Sequence, residues 1–272
     1  MKVVRGTPKH LSKTGKLNNF TYLMLNLEFN CNYNCQKCFS QEIADREYAK
    51  DTLITLKDRI GLIREAKKLG GKAVVIAGEG EPALHKDFQK LIEEINSSGM
   101  VPIIYTNGSL IGEKISKFLR QNNTTIIISL DSLETEKYDL MTGTKNCLEK
   151  VLKNIETIRK EYKGTVVKQG AMKILSFAIN TTVSKINHGQ VAKIKKLCGK
   201  DVYFICNPLA KLGKASKTWG ALMEQNRSED YSGLIKNMSE SGGPLMLGKN
   251  GTCNYSSNGI AISPEGYYSI GL

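Results

Sequence analysis

The feature that most restricts the fold is a repeated pairing of short apolar runs with amphipathic stretches. Segments 73–77 (AVVIA), 101–106, 125–129 (TIIIS), 176–182 and 202–206 are runs of the type buried in a parallel sheet. Between them, Ile60, Ile63, Ala66 and Lys67 follow helical spacing with the apolar members on one face. Phe88, Leu91, Ile92 and Ile95 do the same, as do Val151, Leu152, Ile155 and Ile158. With 22–29 as the first strand, the chain reads as six βα units. Such units with short loops imply an α/β fold on a right-handed parallel sheet, open or closed. Barrels of this type collect reactive groups at the C-terminal strand ends.

Just beyond that first strand lie Cys31, Cys35 and Cys38, spaced C-x3-C-x2-C. Three thiolates at this spacing can hold three corners of an iron–sulfur cube and leave one iron open for a small molecule. Clusters that only carry electrons usually have four cysteine ligands. Zinc and unligated thiols are the alternatives. Structural zinc sites favour paired knuckles that close a tetrahedron, whereas Cys147, Cys198, Cys206 and Cys253 are scattered here, as are His10, His85 and His188.

The chain's 272 residues suffice for one large α/β domain with a small appendage. Residues 1–19 read as a basic leader without an apolar core of signal-peptide length, and no later run reaches transmembrane length. Seven cysteines without regular pairing suit a reducing compartment, so a cytoplasmic location is expected. The net charge of +13 can attract nucleic acid, acidic peptides or phosphorylated small molecules. The lysines are mostly spread along helical repeats, however, as on solvated outer faces, and no arginine-rich block or aromatic platform accompanies them.

Residues 20–208 read as the core and 209–272 as a C-terminal extension. Segment 211–217 reads as a basic loop, 225–238 as weakly helical, and 239–251 as Gly-rich. Segments 260–262 and 267–270 read as two strands joined at Ser263-Pro264-Glu265-Gly266.

The strand ends carry further motifs. Cys31-Asn-Tyr-Asn-Cys35-Gln-Lys-Cys38-Phe39 resembles the cluster loop of the radical S-adenosylmethionine (SAM) superfamily, and Gly78-Glu79-Gly80-Glu81-Pro82 is similar to its G-G-E-P element, with Glu79 in place of the first glycine. Thr106-Asn107-Gly108, Ser129-Leu130-Asp131-Ser132 and Asn180-Thr181-Thr182-Val183 end later strands. Together they resemble the branch of molybdopterin-precursor cyclases and SPASM/twitch-type maturases.

The resemblance implies a partial (β/α)6 barrel of parallel strands, a [4Fe-4S] cluster on Cys31, Cys35 and Cys38, and S-adenosyl-L-methionine on the open iron. A 5′-deoxyadenosyl radical would then take hydrogen from a substrate, leading to epimerisation, dehydrogenation, rearrangement or bond formation. Gly80 would let the backbone approach the methionine moiety, and Glu81 would accept from its ammonium group. Thr106 and Ser129 would bond the ribose or carboxylate and Asn180 the ribose, and Phe39 would face the adenine. Lys37 stands where relatives often carry an aromatic residue, and a negatively charged substrate could meet it. Asp131 reads as a cap for the helix after Ser132.

Cys253 begins a stretch similar to extensions that bind auxiliary clusters, but Gly271 stands where those relatives have a second cysteine. The extension reads as degenerate, without a second cluster, the other reading being a truncated chain. Cys206 and Cys253 are candidate hydrogen-atom donors, but burial as small apolar residues is the favoured reading of each. Cys147 and Cys198 read as structural. Expected partners are a small-molecule or peptide substrate and an electron donor such as flavodoxin or ferredoxin, without a membrane. RNA modification and a non-catalytic iron–sulfur regulator are the competing readings.

Overall fold

The computed structural model describes residues 1–8, 10–11, 20–40, 53–77, 79–223, 230–238 and 259–269. Its strands are β1 (Lys2–Val4), β2 (Tyr22–Leu25), β3 (Ala73–Ala77), β4 (Val101–Thr106), β5 (Thr125–Ser129), β6 (Val167–Gln169), β7 (Met172–Leu175), β8 (Phe177–Val183), β9 (Tyr203–Pro208), β10 (Gly259–Ile262) and β11 (Tyr268–Ser269). The main sheet runs β11-β10-β2-β3-β4-β5-β8-β9, parallel from β10 to β9 with β11 antiparallel at one edge. Among the described residues this sheet does not close on itself. It is a partial barrel of six βα strands with β10 added beside β2.

Helices cover one face of the sheet. They are α1 (Leu56–Lys68), α2 (Phe88–Ser97), α3 (Glu113–Gln121), α4 (Thr135–Thr142), α5 (Leu148–Glu161) and α6 (Val191–Cys198). Thr55 opens α1 with a reciprocal cap: its hydroxyl accepts the Asp58 N–H while Asp58 accepts the Thr55 N–H. Alternation along each strand splits the core into two layers. Leu23, Ile76, Ile104, Ile128 and Ile179 pack against the helices, whereas Tyr22, Val75, Ile103, Ile127 and Ala178 line the inner, concave face.

The N-terminal end of the inner face is sealed. β1 pairs in parallel with β7, and β6 joins as a third strand, giving a small sheet absent from the sequence reading. Val4 and Leu175 enter the inner apolar layer, each 1% exposed. The opening residues of the basic stretch therefore form a buried strand.

Segment ends differ from the sequence reading in places. The first strand stops at Leu25 rather than Phe29: its last partner on β3 is Ile76, and the next N–H, of Asn26, donates to Ile262 O of β10 at 3.0 Å. The expected loop 211–217 contains a helical turn, α7 (Lys214–Lys217), entered through Gly213 at φ +54° and followed by α8 (Trp219–Leu222). Residues 225–229 of the weakly helical stretch lie outside the described residues, and α9 (Asp230–Met238) forms its remainder. The two late strands form the antiparallel pair β10–β11, with Ile270 outside the described residues. Asp131 does not cap a helix. α4 begins at Thr135 with Glu134 in the cap position, because the Ser132 hydroxyl takes the Glu134 N–H at 2.9 Å and delays the helix.

Candidate active site

β2 delivers the chain into the loop that carries Cys31, Cys35 and Cys38, all free and partly exposed. The last carbonyls of a helix have no partner within it, and this loop uses two of them. Asn34 N–H donates to Thr142 O at 3.0 Å and Gln36 N–H to Met141 O at 2.9 Å, both at the end of α4. Cys38 N–H closes back on Cys35 O at 3.1 Å.

A second support comes from the segment after β9, which sequence reasoning set apart from the site. Ala215 N–H donates to Cys38 O at 3.2 Å, Thr218 Oγ1 to Gln36 O at 2.7 Å, and Lys214 Nζ to Asn34 O at 3.1 Å. A Cβ at Gly213 would strike the backbone of Phe39. That glycine, set in a basic loop, was the one sequence signal of this close approach.

At Gly80 a Cβ would run into the backbone of Asn30, so the glycine accommodates the cysteine-bearing chain. Glu81 N–H donates to Asn30 O at 2.8 Å in the same contact. The Glu81 side chain is 4% exposed. It accepts from Thr106 Oγ1 at 2.6 Å, Asn107 N–H at 2.7 Å and Ala83 N–H at 3.2 Å. Burial pushes its pKa above the ordinary value, while these bonds oppose the shift. Three of roughly four lone-pair sites are used, which leaves room for one further donor.

Thr106 therefore supports Glu81. Its position alternates with Tyr105 toward the helix side, and its hydroxyl also accepts the Gly108 N–H at 3.0 Å. Ser129 and Asn180 are register partners on the inner face. Asn207, which sequence reasoning missed, donates to Asn180 Oδ1 at 2.7 Å and extends the polar row to β9. Asn32 was missed as well. It donates to Ser109 Oγ at 2.9 Å and accepts from Asn107 Nδ2 at 3.0 Å, tying the cysteine loop to the end of β4.

Lys37 does not stand free for an anionic substrate, because its ammonium pairs with Asp131. Phe39 is 55% exposed at the end of the loop. Cys206 is fully buried in the helix-side layer, since Ile205 and Asn207 take the inner face on either side of it. Burial pushes its thiol up to about 12. Its thiol therefore does not open onto the inner face. Cys253 lies outside the described residues.

Behind the loop, the Glu28 carboxylate bridges Arg59 of α1 at 2.9 Å and His85 at 2.8 Å. Burial alone would raise Glu28, but the bonds to His85 and Arg59 outweigh it and hold the carboxyl at about 2. The bridge pins β2's exit to α1 and to the turn after Glu81.

Residues 26–175, more than half of the chain, match the profile of the Radical SAM superfamily. The chain belongs to that superfamily. This radical SAM protein is 30% identical over 163 residues to GTP 3′,8-cyclase of Psychromonas ingrahamii, covering 58% of this chain and 46% of that protein. It is 32% identical over 139 residues to GTP 3′,8-cyclase of Clostridium perfringens, covering 50% and 42%. The chain thus spans less than half the length of these curated relatives. SuiB of Streptococcus suis, solved bound to S-adenosylmethionine, superposes with a TM-score of 0.68 at 18% identity, covering 97% of this chain and 64% of that one. Native anSMEcpe with bound AdoMet gives 0.58 at 18% identity, covering 91% and 73%.

Radical SAM enzymes use a [4Fe-4S] cluster and S-adenosylmethionine, and the residues present fit both groups. Three thiols on one loop are the donor set for a cluster held at three corners. Among the described residues, no three or more His, Cys, Asp or Glu side chains gather tightly enough to hold a single metal ion. Desolvation raises the thiol of Cys31 and takes that of Cys35 to about 12, and the charge of bound iron would favour their thiolate forms. No helix among the described residues is long and apolar enough to cross a membrane.

Proposed function

We propose that this radical SAM enzyme generates a substrate radical on a small molecule or peptide held over the polar C-terminal strand ends. The supporting observation is the convergence at one end of the sheet of the thiol loop, the buried Glu81 and the inner polar row Ser129–Asn180–Asn207. When bound, the cluster and S-adenosylmethionine supply one-electron cleavage of the sulfonium–C5′ bond and a carbon-centred oxidant that takes hydrogen from the substrate.

Cys31, Cys35 and Cys38 would hold the cluster. Glu81, with one acceptor site left, would take an ammonium hydrogen of the cofactor, and Ser129 and Asn180 would orient its ribose and carboxylate. Asn207 holds the Asn180 amide by donating from its Nδ2 to Asn180 Oδ1. That bond leaves the Asn180 Nδ2 hydrogens for a ligand oxygen. The apolar seal at the other end of the inner face, with Val4 and Leu175, keeps water from entering from below.

Relatives support both substrate classes: the curated ones are named for GTP, and SuiB has also been solved with its precursor peptide SuiA. Electrons for each turnover would come from a protein such as flavodoxin or ferredoxin.

Anaerobically reconstituted protein is expected to bind iron and sulfide, to show an electron paramagnetic resonance (EPR) signal that changes with S-adenosylmethionine, and to release 5′-deoxyadenosine. Stoichiometric zinc, or no 5′-deoxyadenosine from the reduced protein, would refute the reading. A product found in RNA would move the substrate to another class.

A further inference from the structure

Lys37 sits between Cys35 and Cys38, yet its side chain leaves the loop for the ends of β5 and β8. Its ammonium pairs with the Asp131 carboxylate and donates to Thr182 Oγ1 at 3.4 Å. The pair is nearly sealed, with side chains 11% and 2% exposed. Asp131 is held from its other side. Its Oδ1 accepts the Thr182 N–H at 2.9 Å, and its carbonyl accepts Asn187 Nδ2 at 2.9 Å. Asn187 also donates to Thr182 O at 2.9 Å, so Asp131 stays in place independently of Lys37.

Burying a lysine costs side-chain entropy and desolvation, and the loop backbone is already held by α4 and by residues 214–218. The ion pair is therefore not needed to form the loop. It adds a fixed spacing between the loop and the inner polar row, and a charge balance beside two thiols.

We infer that Lys37 and Asp131 are a positioning pair for this site. They hold the cysteine loop at one distance from Ser129 and Asn180, and their opposite charges cancel beside the cluster loop. The inference rests on the radical SAM reading and deepens it. Neither side chain is assigned contact with reacting atoms. The charge of the surroundings sets how readily a cluster accepts an electron, so breaking the pair from its two sides has opposite consequences. Asp131→Asn leaves an unbalanced cation beside the thiols, and Lys37→Met leaves an unbalanced anion.

The test compares reconstituted wild type, Asp131→Asn, Lys37→Met, Lys37→Arg and the double variant. Iron content and circular dichroism are recorded for each. The cluster midpoint potential is expected to rise in Asp131→Asn, fall in Lys37→Met, and return toward wild type in the double variant. S-adenosylmethionine affinity, read from the EPR change, is expected to fall about tenfold, or ~1.4 kcal/mol, in both single variants and to stay low in the double variant. Lys37→Arg retains both properties. Shifts of one sign in both single variants, no shift, or unchanged affinity would overturn the inference. Should Asp131→Asn fail to fold, Lys37→Met against Lys37→Arg carries the same decision, a fall in potential and affinity in Met alone being required. Cluster loading and 5′-deoxyadenosine formation by wild type in the same series test the family reading separately.

Discussion

The two ends of the inner sheet face are built from the same strands and differ in kind. At the N-terminal end, Tyr22, Val75 and Ile103 meet Val4 and Leu175 in an apolar seal. At the C-terminal end, Ser129, Asn180 and Asn207 stay partly exposed, beside a loop of three thiols and a buried, hydrogen-bonded Glu81. One end carries stability and the other chemistry, the division expected where loops after the strands hold reactive groups on a rigid sheet. Substitutions at the two ends should therefore separate fold from activity.

The largest expected effect is at the open end. Replacing Cys31, Cys35 and Cys38 together by alanine should abolish the cluster's visible absorbance and 5′-deoxyadenosine formation, with the thermal unfolding midpoint little changed. A large fall in that midpoint would mean that the loop also carries the fold. Gly80→Ala comes next. Its Cβ would meet the Asn30 backbone, and overpacking of this kind costs about 1–3 kcal/mol. Iron content after reconstitution should drop more sharply than stability measured by urea unfolding.

Leu175→Ala probes the sealed end. Loss of a buried leucine side chain costs about 2–5 kcal/mol, and 5′-deoxyadenosine formed per loaded cluster should stay at the wild-type rate. A change in that rate would show that the seal also shapes the site.

A smaller effect is expected from pH. The Glu28 carboxyl titrates at about 2 when folded, against an ordinary 4.5. A depressed pKa means that the folded state binds the proton less well, so the contribution is complete above about pH 4.5 and is lost as pH falls toward 2. Urea midpoints at pH 5 and pH 3 should differ less in Glu28→Gln than in wild type. The smallest change is expected from Cys206→Ala, which trims one buried sulfur on the helix side and should leave 5′-deoxyadenosine formation and product unaltered. Loss of a specific product isomer would return Cys206 to the reaction.

Much of the fold was legible because its signals are local. Segments 73–77, 101–106 and 125–129 were read with their observed limits, since apolar runs between amphipathic helices carry their own boundaries. β1, β6 and β7 were not read: three or four residues hold no periodicity, and Val3 and Val4 sit in a basic, polar stretch. In the site, the thiol spacing and the Gly80–Glu81 element stood out as motifs. The direction of each neighbouring side chain did not. Thr106 turns to Glu81, Cys206 to the helices and Lys37 to Asp131, and each depends on strand parity or on a partner far along the chain.

The order of βα units and the grouping of three cysteines on one loop follow from the sequence alone, because periodicity and covalent spacing act over a few residues. Tertiary structure decided the rest: which strand-end residues face the concave side, that residues 213–218 brace the cysteine loop, and that Lys37 is already paired. Those outcomes depend on sheet register and on contacts between segments nearly a hundred or more residues apart, about which local pattern carries no information.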